Sequence, residues 1–263
     1  MKSTFVNSYV ISTYQYGESD LIVSLFSVER GKIKAIAKGA KRSKKRFVNV
    51  LEPFSLIKAE VIMPRYGGGL YLLKDAVLIN NSSSIAKDPL SFTYASLALE
   101  LVELWTKEED KNPDIFWLMK WFFKMLVSNV DADFIRLSLF FQIKILILAG
   151  YYPNIEKCLK CSKISSHGVP IKAIVLEDCN FCNKLELEQS YRLSLGTLQT
   201  FLKICRWDLR HILRIKMSKD IMLECWLLII ELHHIHLNSI PHSYYVLREL
   251  DSFWQEIFKI ITI

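Results

Sequence analysis

Four cysteines stand in two matched pairs, CLKC at 158–161 and CNFC at 179–182, so that Cys158, Cys161, Cys179 and Cys182 form a C-x2-C-x17-C-x2-C arrangement. Two intervening residues let both sulfurs of a tight turn face one ion, and four thiolates complete a closed tetrahedral zinc shell at about 2.3 Å. A four-thiolate shell leaves no position for water, so the single zinc ion it implies is structural rather than catalytic. Disulfides are the competing reading, disfavoured because nothing suggests export and a reducing cytosol keeps thiols free. Cys205 and Cys225 fall on apolar helical faces and read as core.

The second constellation is charge. Residues 30–46 carry nine Lys or Arg and no Asp or Glu, while the rest of the chain holds 25 bases against 27 acids. The net charge of +7 is therefore local. A concentrated positive field on a near-neutral body is what a polyanion site looks like, with nucleic acid or an anionic membrane surface as the candidate ligands. A solvated loop that keeps the protein soluble is the plainer reading, but it would intersperse acids among the bases. Candidate phosphate contacts are Lys32, Lys34, Lys38, Lys41, Arg42, Lys44, Lys45 and Arg46.

Other patterns carry less. His233, His234 and His236, with His242 beyond, fall at a helix end, where imidazoles favour the carbonyl end of the dipole, and no His-Glu-x-x-His pattern accompanies them. Gly67-Gly68-Gly69 lacks the ending of a phosphate loop and reads as a hairpin connection. No Ser-His-Asp, Cys-His or paired-carboxylate set marks an active site, so no enzyme is expected.

The elements that must hold these residues divide in two. The first eighty residues read as five short strands, separated by turn signals at Tyr16-Gly17, Arg30-Gly31 and the glycine run. In KIKAIAK, alternation puts Ile33, Ala35 and Ala37 on one face and Lys32, Lys34 and Lys38 on the other. Five strands with a basic strand leading into a basic loop fit a small, partly open barrel of the OB type, with an SH3-like barrel close behind. The polar run NNSSS at 80–84 ends the strand pattern, and helical periodicity follows from Asp88-Pro89 onward in about six segments.

The expected fold is thus α+β and multidomain: an OB barrel over 1–80, an all-α bundle over 85–150 and 190–263, and an inserted zinc-ribbon-like four-cysteine element over 151–189, whose Gly168-Val169-Pro170 and IKAIVL run join the two turns as a hairpin. The N-terminus lacks the apolar stretch of a secretory signal, which points to the cytoplasm. The greasiest later segments are broken by Arg136 and Lys144 or by Glu224 and Glu231, so neither reads as a membrane span.

Taken together, ESDLIVSLFSVERGKIKAIAKGAKR, LEPFSLIKAEV, GGLYLLKDAVLI and ILILAGYYPNIEKCLKC followed by CNFC resemble the RecO family of bacterial recombination mediators over residues 5 to 185. The resemblance implies an OB domain, a helical domain and a zinc-ribbon-like element. It also implies a non-enzymatic, nucleoid-associated role in DNA repair: binding single- and double-stranded DNA, annealing complementary strands, engaging the acidic C-terminal tail of single-strand-binding protein, and working with RecR to load RecA. A zinc-containing adaptor, whose basic loop binds an acidic protein, is the alternative.

Overall fold

The computed structural model describes residues 3–64, 69–81, 84–128, 133–153, 155, 168–171, 174, 191–237 and 240–261. By contacts the chain divides into two compact units, Met1–Ala132 and Asp133–Ile263.

In the first unit, β1 (Ser3–Tyr16), β2 (Asp20–Ser27), β3 (Gly31–Ala37), β4 (Leu56–Ile62) and β5 (Tyr71–Asn80) form a closed barrel in the order β1-β2-β3-β5-β4. β1 closes it by serving two partners: Ser3–Tyr9 pair with β4 and Ser8–Tyr16 with β2. A register shift between Val10 and Ser12 supplies the bend this requires. The one parallel contact in the barrel, Ala35 with Tyr71 and Ile36 with Leu72, gives the OB arrangement, closed rather than partly open. The predicted alternation in β3 holds, with Ile33, Ala35 and Ala37 in a core shared with Val10, Leu25, Ala59 and Val61.

Two helices belong to this unit by contact. Asp88 caps α1 (Pro89–Trp105), its carboxylate accepting the Ser91 N–H at 2.7 Å, and Pro89 occupies the first turn, where its missing N–H costs nothing. The Asn112 side chain accepts the Ile115 N–H at the start of α2 (Pro113–Ser128). α2 packs on the barrel through Tyr9, whose ring lies 5.2 Å from Phe116 and 5.3 Å from Phe123. Each such aromatic pair is worth about 0.5–1.5 kcal/mol beyond burial. The same burial pushes the Tyr9 hydroxyl up to about 12. The sequence pattern assigns α1 and α2 to the helical domain; by contact both helices also touch barrel-unit side chains, Phe92 of α1 lying 5.4 Å from Phe54.

The second unit contains α3 (Phe134–Leu148), α4 (Leu195–Arg206), α5 (Lys219–Leu237), α6 (Ser243–Leu250) and α7 (Ser252–Ile261), making seven α-helices among the described residues. Caps set the boundaries: Asp133 accepts the Arg136 N–H, and Ser194 accepts the Thr197 N–H. Glu224 ties α5 to that start, accepting from Ser194 N and Thr197 Oγ1, each at 2.6 Å. The segment SYYVLRELDSFWQEIFKIIT, read as one helix, is two. Asp251 is extended (φ −139°, ψ 128°), and its carboxylate accepts the Phe253 N–H of the next turn. The break lets Trp254 pack on both Trp226 and Tyr244 at 4.7 Å.

Val169–Pro170 (β6) pairs with Arg192–Leu193 (β7), so the described part of the expected hairpin finds its partner beyond the second cysteine pair. Gly168 (φ 81°) is needed there, since a Cβ would lie 2.5 Å from the Leu193 carbonyl oxygen. No helix among the described residues is long and apolar enough to cross a membrane.

Candidate nucleic-acid interface

The eight basic residues singled out in the sequence separate into three environments. Lys32 and Lys34 point outward from β3, as alternation requires, but do not form a bare row of ammonium groups. Lys32 is 6 % exposed; its Nζ donates to the Glu103 main-chain oxygen at 2.6 Å and lies 3.8 Å from the Glu103 carboxylate, which also accepts from Ser24 Oγ at 2.7 Å. Burial lowers its pKa, and Glu103 opposes that shift. Lys34 pairs with Glu108 at 2.8 Å, and this hydrogen bond holds its pKa above the usual lysine value.

Glu103 stands in the last turn of α1, and Glu108 and Glu109 come from the connection between α1 and α2, which lies along the part of β3 that β5 does not pair. Glu109 N–H donates to the Lys32 oxygen at 2.8 Å, Lys32 and Glu108 form a parallel bridge, and Tyr71 Oη–H donates to Glu109 at 2.7 Å. The approach is so close that a Cβ on Gly31 (φ 66°) would meet the Asp110 oxygen at 1.9 Å.

Arg46 has a second environment. Its guanidinium donates to the main-chain oxygens of Lys38 and Lys74, each at 3.1 Å, and stands 4.9 Å over the Phe47 ring. It braces the loop against the barrel.

The third group is the loop surface. Lys38, Lys41, Arg42, Lys44 and Lys45 are exposed, on a segment fixed at both ends by buried Ala40 and Phe47. Gly39 N–H donates to Asp20 Oδ1 at 2.8 Å, Lys41 N–H to the Ser19 oxygen at 3.0 Å, and Arg46 N–H to Ser43 Oγ at 3.0 Å. The Gly39 hydrogen bond, with that from Ser19 and the charge of Lys38, keeps the Asp20 carboxyl below its ordinary range. Arg42 approaches Glu18 at 3.4 Å and Lys41 donates to Gln15 at 3.2 Å, both at the surface. Lys44 and Lys45 have no acidic partner among the described residues. On either side of Gln15 at the end of β1, Tyr14 and Tyr16 are 62 % and 54 % exposed, with Tyr16 registered against Asp20.

Sequence reasoning missed Glu103, Glu108 and Glu109. The run Glu108-Glu109-Asp110 was visible as charge, but nothing local marked it as the partner of β3.

Cys158, Cys161, Cys179 and Cys182 lie outside the described residues, as do Gly67 and Gly68. Among the described residues no His, Cys, Asp or Glu cluster could hold a metal ion. His233 is buried at 0 % exposure, stacks on Tyr244 at 12° between planes, and is pushed down to about 3 by burial and by His236. Burial likewise raises the Cys225 thiol, and pushes Cys205 up to about 12.

A barrel with an anchored cationic loop is a scaffold for polyanions, and comparison with known proteins narrows the class. The family model described as "Recombination protein O N terminal" matches residues 1–82, and "Recombination protein O C terminal" matches 86–244, which makes this a protein of DNA recombination and repair. The DNA repair protein RecO of Desulfosudis oleivorans is 32 % identical over 211 residues, covering 77 % of this chain and 81 % of that one. RecO of Desulfatibacillum aliphaticivorans is 29 % identical over 258 residues (95 % and 98 %), and RecO of Pelobacter propionicus 33 % over 213 (78 % and 82 %). The chain belongs to the RecO family.

Proposed function

We propose that the protein is a recombination mediator that binds single- and double-stranded DNA through the barrel loop, anneals complementary strands, and with RecR helps load RecA onto DNA coated with single-strand-binding protein. The observation that carries the reading is the loop itself: Lys38, Lys41, Arg42, Lys44 and Lys45 are exposed on a segment held by core contacts and main-chain hydrogen bonds, and Tyr14 and Tyr16 are exposed on the same barrel. A fixed cationic surface releases counterions from DNA, and exposed aromatics give bases a face to stack on. Annealing follows from screening two strands and needs no covalent step.

The four-cysteine set fits one structural zinc ion, bound by Cys158, Cys161, Cys179 and Cys182; when bound it would staple that segment and take no part in a reaction.

The test is salt dependence. With about four phosphates neutralised, log affinity for a single strand falls against log salt with a slope near −3. A slope near zero overturns the reading. Lys44→Glu/Lys45→Glu weakens DNA binding without touching Arg46, which braces the loop. Unchanged DNA affinity together with lost binding of an acidic protein would establish the adaptor instead. Annealing on DNA coated with full-length or tail-deleted single-strand-binding protein tests the partner: tail-independent annealing counts against it.

A further inference from the structure

A second concentration of base lies in the other unit. Between residues 203 and 219 stand six Lys or Arg and a single acid, Asp208. α4 ends at Arg206, and the chain turns through Trp207 and Asp208 into one 3-10 turn, Ile212–Arg214. Ile212 and Ile215 are buried and hold the segment down, while Lys203, Arg206, Arg210, Arg214 and Lys216 are exposed.

The acid is engaged within its own turn. Asp208 Oδ1 accepts the N–H groups of Arg210 at 2.9 Å and His211 at 3.0 Å, and lies 2.8 Å from His211 Nδ1. Beneath the turn, the largely buried Lys144 of α3 donates from Nζ to the main-chain oxygens of Cys205 at 2.8 Å and Trp207 at 2.6 Å. Those carbonyls form the negative end of the α4 dipole, which would otherwise repel an anion. Lys144 both neutralises them and fixes the turn. Lys203 Nζ lies 4.9 Å over the ring of the partly exposed Trp207. Arg210, Arg214 and Lys216 have no acidic partner among the described residues.

We propose that this turn is a second nucleic-acid contact, in which Arg210, Arg214 and Lys216 take backbone phosphates and Trp207 offers a face to a base. The inference rests on the DNA-binding reading above and extends it, because it gives a second strand a place of its own. An acidic peptide offers the same charge. Nucleic acid is the better fit: guanidinium groups pair phosphate oxygens bidentately, and a lysine-flanked indole stacks on a base of any sequence. Two separate cationic surfaces reduce the repulsion between two strands more effectively than one surface that both must share.

The experiment uses the full chain, short oligo-dT labelled with a fluorophore, and two variants: Arg210→Gln/Arg214→Gln/Lys216→Gln at the turn, and Lys44→Gln/Lys45→Gln at the loop. Wild type is expected to bind two short strands per chain and the turn variant one, with annealing of complementary strands slowed tenfold or more. In the loop-variant background, adding the three turn changes should make the salt slope shallower by about 2, for three phosphate contacts at roughly 0.7 each. Two strands still bound by the turn variant, or an unchanged annealing rate, overturns the proposal. So does a turn variant that keeps both strands but loses an Asp/Glu-rich peptide, which would make the surface a peptide site. A wild type that binds one strand, lost only in the loop variant, overturns this proposal and leaves the DNA-binding reading standing; no strand bound at all removes that reading as well.

Discussion

Replacing Glu108 with Gln should make the protein bind single-stranded DNA more tightly. Glu108 holds the Lys34 ammonium at 2.8 Å, in a pair whose side chains are 43 % and 48 % exposed. A pair that wet is worth about 0.2–1 kcal/mol to stability, so the variant folds. Freeing Lys34 offers DNA one more cation and removes one repelling carboxylate. One added phosphate contact steepens the salt slope by about 0.7 and tightens binding roughly fivefold at 0.1 M salt. Fluorescence anisotropy of an oligo-dT strand, titrated across roughly 50 to 200 mM salt, reads both quantities. Glu103→Gln is the contrast. Lys32 is 6 % exposed and cannot reach a phosphate, so this change gains no affinity. It keeps an oxygen that can accept from Ser24 Oγ but leaves a buried ammonium short of its counter-charge, costing about 3 kcal/mol of stability. Unchanged slope and affinity in Glu108→Gln would refute the argument, as would an equal gain in Glu103→Gln.

Gly31→Ala places a Cβ 1.9 Å from the Asp110 oxygen at φ 66°, so it should cost about 3 kcal/mol or more, read from the denaturant midpoint; a loss under about 1 kcal/mol would show that the connection gives way freely. His233 supplies a pH dependence: the unfolded chain takes up a proton below about pH 6.5, while the folded chain refuses it down to about 3. Stability conferred by His233 is therefore fully present above pH 6.5 and falls as pH drops through that window, by about 2 kcal/mol between pH 7.5 and 5. His233→Gln should remove that part of the pH dependence, and an identical pH profile in the variant would exclude His233 as its source. Chelation should release one zinc ion per chain and raise protease sensitivity between residues 154 and 190, while the α3–α5 packing survives; a preparation with no metal and no change on chelation would remove zinc from the account.

The barrel was legible because its cues are local. Turn glycines, alternation in β3 and the change of period after residue 80 all act over a few residues. Charge was only half legible. Residues 30–46 contain no acid in sequence, yet the fold brings Glu18, Asp20, Glu103 and Glu108 to them. Those partners come from the turn and strand just before β3, and from the end of α1 and the connection after it about seventy residues later, and no periodicity encodes such a meeting. The split at Asp251 was hidden for the opposite reason, since the amphipathic pattern runs unbroken through it and one residue ends one helix with its main-chain N–H while its carboxylate starts the next. Of the bases at 203–219 only Lys203 and Arg206 lie on α4; Arg210, Arg214 and Lys216 are spread thinly through the turn beyond it, so no dense run marked them.

The placement of the acids bears on how such a surface would release DNA. A polyanion arriving at the barrel meets Lys44 and Lys45 uncommitted, but must displace Glu108 to reach Lys34 and finds Lys32 closed. Displacing a tethered carboxylate releases no counterion, so that contact adds little to the salt-dependent driving force, and the carboxylate stays at high local concentration to return. On the proposed reading, binding through the loop would then stay weak enough to reverse. A mediator must hand its strand on, and a surface whose own acids compete at its edge gives up DNA more readily than one carrying all nine bases bare.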